Sequence, residues 1–343
     1  MNTSTITGFA ALGKGERLTP YRCELPLLGE QDVRIAVTHC GLCATDIQAV
    51  DDYYNITEYP FVPGHEVVGT IIEAGAGVPP ARVGERVGVG WQGRACGHCE
   101  WCRQGLVHLC QDVVRNASWK PNGGFSTAIC ADQGFAYPIP EGLASEDAAV
   151  LMCAGITVFT PLFTNRRKEP QRIAIVGVGG LGHLAVQYAR ALGYEVTAIS
   201  TSPSKREEAL AFGAHHFLLI NDRDEERKYA YYFDLILCTA HGSVDWVRVL
   251  EILKKRGRLI LTGFPDMDFR PVDLVAHELS ISGSFLGTPA DMRAMLQFST
   301  DHRIQPMIEL IPMSAVNEAI QRVRENKARY RIVLCNDLNT SPQ

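Results

Sequence analysis

A chain of 343 residues exceeds what one compact core usually carries, so two domains are expected. With 46% hydrophobic and 21% charged residues it is no disordered chain, and a net charge of −5 without a long Lys/Arg run excludes a phosphate-backbone partner. The opening MNTSTITGFA has neither the charged start nor the apolar stretch of a secretory signal, which points to the cytoplasm, where eleven cysteines stay reduced.

In chain order, Val33, Ile35 and Val37 alternate with polar or small residues, and Val67 to Ile72 and Arg86 to Val89 follow between glycines. This pattern predicts a β-rich, barrel-like domain. Ala148 to Phe163 is nearly uncharged but is interrupted by Gly155, Thr157, Thr160 and Pro161 and is shorter than the ~20 residues of a membrane span, so no membrane segment is expected. From Arg172 the pattern becomes strand (RIAIVG), glycine turn, helix (HLAVQYARALG) and strand (YEVTAIS), a βαβ unit. Asp234 to Cys238 and Arg258 to Gly263 add strands of a parallel sheet. Thr288 and Pro289 start a helix with Met292, Met295, Leu296 and Ser299 on one face. A last helix aligns Val316, Ala319, Ile320 and Val323, a strand runs from Arg331 to Leu334, and NDLNTSPQ reads as a loose tail. The fold class is α/β.

Cys96, Cys99, Cys102 and Cys110 form C-x2-C-x2-C-x7-C in one glycine-containing loop. Four thiolates there close a tetrahedron around Zn²⁺ with no position left for chemistry, a structural site; an iron–sulfur cluster shares the ligand set. His98 and His108 lie inside the loop as bystanders. A catalytic zinc needs three protein ligands and one open position. Cys43 in GLCATD, His65 in PGHEVVG and Cys153 in LMCAGIT could supply them, although a lone cysteine such as Cys153 in an apolar helix is more often a core residue.

Gly177, Gly179 and Gly182, with Gly180 and Leu181 between them, give G-x-G-x-x-G between a predicted strand and helix, the turn that cradles a dinucleotide pyrophosphate. NAD enzymes of this kind place an acid about 20 residues on, for the ribose hydroxyls. Here the next strand ends in Ser200, Thr201 and Ser202, no acid appears before Glu207, and Lys205 and Arg206 follow. Hydroxyls and positive charge suit a 2′-phosphate, so NADP(H) is expected over NAD(H). Helix capping competes for part of the stretch: Ser204 with Glu207 fits S-x-x-E, and Ser202 with Pro203 fits a helix start.

GLCATD, PGHEVVG, the four-cysteine loop, CAGIT, GVGGLG and RYRIV, in that order over nearly the whole chain, resemble the zinc-containing medium-chain dehydrogenase/reductase family. The nearest members in pattern are the microbial alcohol dehydrogenases and cinnamyl-alcohol-dehydrogenase-like aldehyde reductases. The resemblance implies a GroES-like catalytic domain over 1–147 with both zinc sites, a Rossmann domain over 148–286 whose first helix carries Cys153, and a return to the catalytic domain over 287–343. It implies reversible hydride transfer between NADP(H) and a primary alcohol/aldehyde pair, with two zinc ions per chain and STSPSKR as an NADP-type stretch. Cys43, His65 and Cys153 would hold the catalytic zinc, Glu66 would reach it when the site rearranges, and Asp46 would orient His65. Thr45 would carry the first proton, and Thr157 would pack near the nicotinamide. Two positions depart from the pattern: Ala44 stands where relatives often have a basic residue, and Gln48 where many have a relay histidine. Trp91, Trp119 and Leu286 are candidate pocket walls, and a closed homodimer or homotetramer is the prior. Two other readings are a catalytically silent zinc- and dinucleotide-binding protein and the zinc-free quinone-reductase branch, which lacks the cysteine loop.

Overall fold

The structure, a computed structural model, describes residues 5–25, 27–115 and 123–338. It divides into two compact units, Met1–Cys153 with Gly287–Gln343, and Ala154–Leu286. The first boundary falls after Cys153, six residues beyond the sequence-based one.

The first unit opens with an antiparallel ribbon, Thr5–Ala10 on Thr19–Glu24. Then come β1 (Asp32–Leu42), α1 (Ala44–Val50), β2 (Val67–Ala74), β3 (Arg86–Val89), β4 (Ala128–Asp132), β5 (Tyr137–Pro138) and α2 (Ser145–Val150). A π-helical turn, Leu151–Gly155, leads into α3 (Ile156–Thr164) of the second unit. Helix therefore runs from Ser145 to Thr164 without the expected interruption, because Gly155 is absorbed in the π turn and Pro161 falls near the helix end. The stretch is long and apolar enough to span a membrane by composition, but 72% of its 18 most apolar consecutive residues are buried, as in a core helix.

The second unit continues with β6 (Arg172–Val176), α4 (Gly182–Ala191), β7 (Glu195–Ser200), α5 (Arg206–Ala211), β8 (His216–Leu219), β9 (Phe233–Cys238), β10 (Leu253–Leu261) and β11 (Ser280–Gly283). These strands make one sheet, ordered β8-β7-β6-β9-β10-β11 and parallel throughout. Strand order reverses beside β6, the switch point where this class of fold opens a crevice for a dinucleotide. Both faces of such a sheet are covered, so its strands read as apolar runs such as Ile173 to Val176, fully or almost fully buried.

The chain then returns to the first unit as α6 (Pro289–Asp301), β12 (Ile308–Pro312), α7 (Val316–Arg324) and β13 (Arg331–Cys335). Thr288 caps α6 as expected, its hydroxyl accepting from the Asp291 N–H at 3.1 Å, and Met292, Met295, Leu296 and Ser299 are buried. The seven-stranded sheet runs β12-β13-β1-β2-β3-β5, with β4 also on β1. Val33, Ile35, Val37, Ile71, Val87, Ile332 and Leu334 share its apolar core with Val316 and Ala319. That core fixes β1 and β13 side by side, and the site hangs from their ends.

Candidate functional site

Cys43 follows β1 directly, and the first turn of α1 carries Thr45 and Asp46. Asp46 is 1% exposed. Its Oδ1 accepts from His65 Nδ1 at 2.8 Å and from the Gly64 N–H at 2.9 Å, and its Oδ2 accepts from the Cys43 N–H at 3.0 Å. One carboxylate thus ties together the two loops bearing Cys43 and His65 and holds the imidazole proton on Nδ1. Gly64, at φ +109°, makes the turn before His65; a Cβ there would lie 2.7 Å from Phe125. Only glycine fits.

His65 Nε2 is buried and has no hydrogen-bond partner among the described residues. An orphaned buried nitrogen is destabilising by roughly 1–3 kcal/mol, which a ligand in line with its lone pair would relieve. The donor atoms of Cys43, His65, Glu66 and Cys153 all lie within 4.8 Å of one another, with Cys153 delivered by the π turn. Two sulfurs and an imidazole nitrogen are the donor set of a catalytic zinc. The Cys153 thiol, and after it His65, holds Cys43 well below the ordinary thiol range against the opposing effect of burial. Cys43 is thus favoured as the thiolate that a metal ligand requires, while the same pairing, with burial, pushes the Cys153 thiol well up.

Glu66 sits on Arg331, whose Nη2 donates to its two carboxylate oxygens at 2.5 and 2.6 Å; both side chains are buried. Full burial pushes Glu66 up to about 7 against the attraction of Arg331. A Cβ on Gly41 would lie 2.0 Å from Glu66 Oε2, so the end of β1 is left bare for this carboxylate. In the sequence Arg331 reads only as the start of a strand, and the β1–β13 pairing brings it to Glu66.

Thr45 Oγ1 lies 3.6 Å from Cys43 Sγ, beside the first of the clustered residues. Gln48, one helical turn further, accepts at Oε1 a hydrogen bond of 3.0 Å from the Tyr54 hydroxyl, a residue the sequence did not single out.

The second metal centre also assembles. Cys96, Cys99, Cys102 and Cys110 place their sulfurs within 4.8 Å of one another, around a short helix, Glu100–Arg103. The Cys99 N–H donates to Cys96 Sγ and the Cys96 N–H to Cys110 Sγ, both at 3.3 Å. Backbone N–H groups of Cys102 and Gln111 hold Cys99 down to about 6. No position is left for substrate. His98 turns its Nδ1 to the Cys96 carbonyl at 2.9 Å, and His108 is outside the four-sulfur set.

In the second unit, Gly177 takes φ +92° after β6, and a Cβ on Gly182 would lie 1.8 Å from the Gly177 oxygen. A Cβ on Gly179 would meet nothing within 4 Å: the turn is open there, as a backbone that must approach a pyrophosphate requires. No backbone N–H from Val178 to Leu181 donates to a backbone carbonyl among the described residues. These donors and the N-terminus of α4, a ten-residue helix, fit an anionic ligand.

At the end of β7, Ser200 Oγ accepts from the Ser202 N–H at 3.1 Å, and the hydroxyls of Ser202 and Ser204 share a hydrogen bond of 2.9 Å. The capping box expected of Ser204 and Glu207 does not form. A 3-10 turn, Pro203–Lys205, intervenes and moves the cap of α5 to Lys205. Lys205 lies 3.9 Å from Glu208. Arg206 does not join the serines: it stands 3.6 Å from Glu225 and lies over the Phe217 ring on β8, 4.9 Å from its centroid. Thr157 is buried in α3, Trp91 and Leu286 are half-buried, and Trp119 lies outside the described residues.

Residues 29–141 match the alcohol dehydrogenase GroES-like domain, and residues 180–301 the zinc-binding dehydrogenase domain. The aldehyde reductase AdhA of Synechocystis is 36% identical over 97% of this chain and 100% of its own. Cinnamyl alcohol dehydrogenase SbCAD4 of Sorghum bicolor superposes with a TM-score of 0.92 at 36% identity, over 99% of both chains. A Helicobacter pylori cinnamyl alcohol dehydrogenase, solved with NADP(H), gives 0.89 at 29% identity, over 99% of this chain and 100% of its own. With the matched domains, the full-length relatives and the two cysteine-based centres, the chain belongs to the zinc-dependent alcohol dehydrogenases of the medium-chain family.

Proposed function

We propose that this enzyme is an NADP(H)-dependent aldehyde reductase, working reversibly on primary alcohols, with Cys43, His65 and Cys153 holding a catalytic zinc and the four-cysteine loop a structural one. The convergence of two thiols on an orphaned, buried His65 nitrogen carries this reading. When bound, these groups supply polarisation of a carbonyl or alcohol oxygen and exchange of hydride.

Around them the chain's own residues have separable tasks. Asp46 fixes the His65 tautomer, so that Nε2 faces the cluster as a ligand. Glu66 is near enough to become a ligand but is held by Arg331. Thr45, beside Cys43, passes the substrate hydroxyl proton outward. Gln48 receives Tyr54 at its oxygen and so turns its two N–H donors elsewhere; it can orient an acceptor but cannot carry a proton away. Thr157 would pack near the nicotinamide, and Trp91 and Leu286 would wall the substrate pocket.

Gly177 to Gly182 would hold the pyrophosphate, and Ser200, Thr201, Ser202 and Lys205 the 2′-phosphate of NADP(H), with Arg206 engaged by Glu225. Comparing kcat/KM for NADPH and NADH across an aldehyde panel tests the assignment. A preference for NADPH is expected, and Lys205→Ala should lower kcat/KM for NADPH about 10- to 100-fold, the range of a charge-assisted hydrogen bond of roughly 1.5–3 kcal/mol, while sparing NADH. Equal use of the two cofactors would refute it. We place the enzyme in the cytoplasm, where its eleven cysteines remain reduced, and infer a homo-oligomer from the uncharged edge of its parallel sheet.

A further inference from the structure

Thr239 stands just past β9, beside the glycine turn, and is 6% exposed. Its backbone N–H donates to the Val176 carbonyl at 2.9 Å. Its hydroxyl lies 3.1 Å from that same oxygen and 2.9 Å from the Gly177 oxygen. A hydroxyl has one proton, and the Val176 oxygen is already served by the N–H, so the shorter contact to Gly177 takes it.

That bond orients a peptide plane. The Gly177–Val178 peptide is trans, so its C=O and N–H point in opposite directions. With the carbonyl held toward β9, the Val178 N–H is turned to the other side, where it heads the run of N–H groups without backbone acceptors. Space permits little else: a Cβ on Gly182 would meet the Gly177 oxygen at 1.8 Å and Thr239 Oγ1 at 3.0 Å, and one on Gly177 would meet Ala240 at 3.2 Å. Without the hydroxyl proton the Gly177 oxygen loses its donor, and rotation of the plane would present that oxygen, instead of an N–H, to an anion.

We propose that Thr239 is a positioning residue for the dinucleotide turn, aiming the Val178 N–H at the pyrophosphate by holding the Gly177 carbonyl. It rests on the dinucleotide site proposed above. The test measures direct binding of NADPH and of adenosine 2′-monophosphate, which has the ribose phosphate but no pyrophosphate, to the zinc-loaded full-length protein. Thr239→Val removes the proton with little change of shape. It should weaken NADPH about 3- to 10-fold, the scale of one hydrogen bond, and leave adenosine 2′-monophosphate within about twofold. Thr239→Ser should restore NADPH binding. Should the valine variant not fold, Thr239→Cys, a weak donor, takes its place and should bind NADPH more weakly than the serine variant does. An unchanged NADPH affinity in the variants lacking a hydroxyl, or an equal loss for both ligands, overturns the proposal. Wild-type protein that binds neither ligand would instead sink the dinucleotide reading itself, and this role with it.

Discussion

Glu66 and Arg331 are buried against each other, and neither charge has water to fall back on. At a pH well above the value of about 7 to which Glu66 is pushed, removing Arg331 leaves an uncompensated buried charge, destabilising by about 3–5 kcal/mol, whereas removing both is much milder. Arg331→Met should therefore lower unfolding stability by about that amount, and adding Glu66→Gln should recover most of it. Denaturant unfolding of the four zinc-loaded proteins reads the coupling; effects that simply add, within about 0.5 kcal/mol, would show that the pair is not a unit. Gln48 offers a second test at this scale. Its carboxamide cannot take up and release a proton near neutral pH, so with Gln48 on the proposed exit path the last step would pass to water and limit alcohol oxidation. Gln48→His should raise kcat for oxidation, by about tenfold or less out of the roughly 10²–10⁴ that acid–base catalysis can supply, and add a titration near pH 6–7. Superimposable pH profiles and solvent isotope effects for the two proteins would disprove the assignment.

The cysteine loop is an element that a metal must hold, since its short helix, Glu100–Arg103, has no buried side chain. Cys110→Ser should leave one zinc per chain instead of two and destabilise the protein by roughly 4 kcal/mol or more, the size typical of a lost metal site. Elemental analysis and thermal unfolding read both; two zincs retained would remove the structural site from the account. This loop was legible in the sequence because its ligands are local, and so was the β6–α4 turn, whose glycines act within one βαβ unit. The catalytic cluster was less so. Cys43, His65 and Cys153 are separated by more chain than any spacing rule covers, and they became a set through family resemblance. Arg331, Tyr54 and Thr239 stayed invisible because each acts through a partner set by strand pairing or loop packing. The reading of Ser204 as a cap failed for a local reason: the 3-10 turn at Pro203 shifts the start of α5 by a residue or two.

For the whole molecule, the parallel sheet of the second unit ends at β11, which among the described residues is bonded on one side only, to β10. Natural edges are usually blunted by charge, proline or a covering element. β11 reads SISG and has no charge or proline, and three of its four residues are exposed. Nearby in the same unit, Phe264, Val272, Val275 and Phe285 are exposed, Val275 at 76%. An uncharged edge amid apolar side chains is an aggregation hazard unless something pairs with it, and the partner always at hand is a second copy. A two-fold axis would set β11 against its own equivalent and close the contact without leaving a further edge. The wild-type protein should therefore show at least twice the chain mass by size-exclusion chromatography with light scattering. Ser282→Lys with Val275→Lys puts only positive charge on both sides of such an axis, and should shift the protein toward monomer while both zinc ions stay bound. A monomeric wild type would end the argument at once. An oligomer that the double substitution leaves intact would place the interface elsewhere, and the exposed edge would then need another cover.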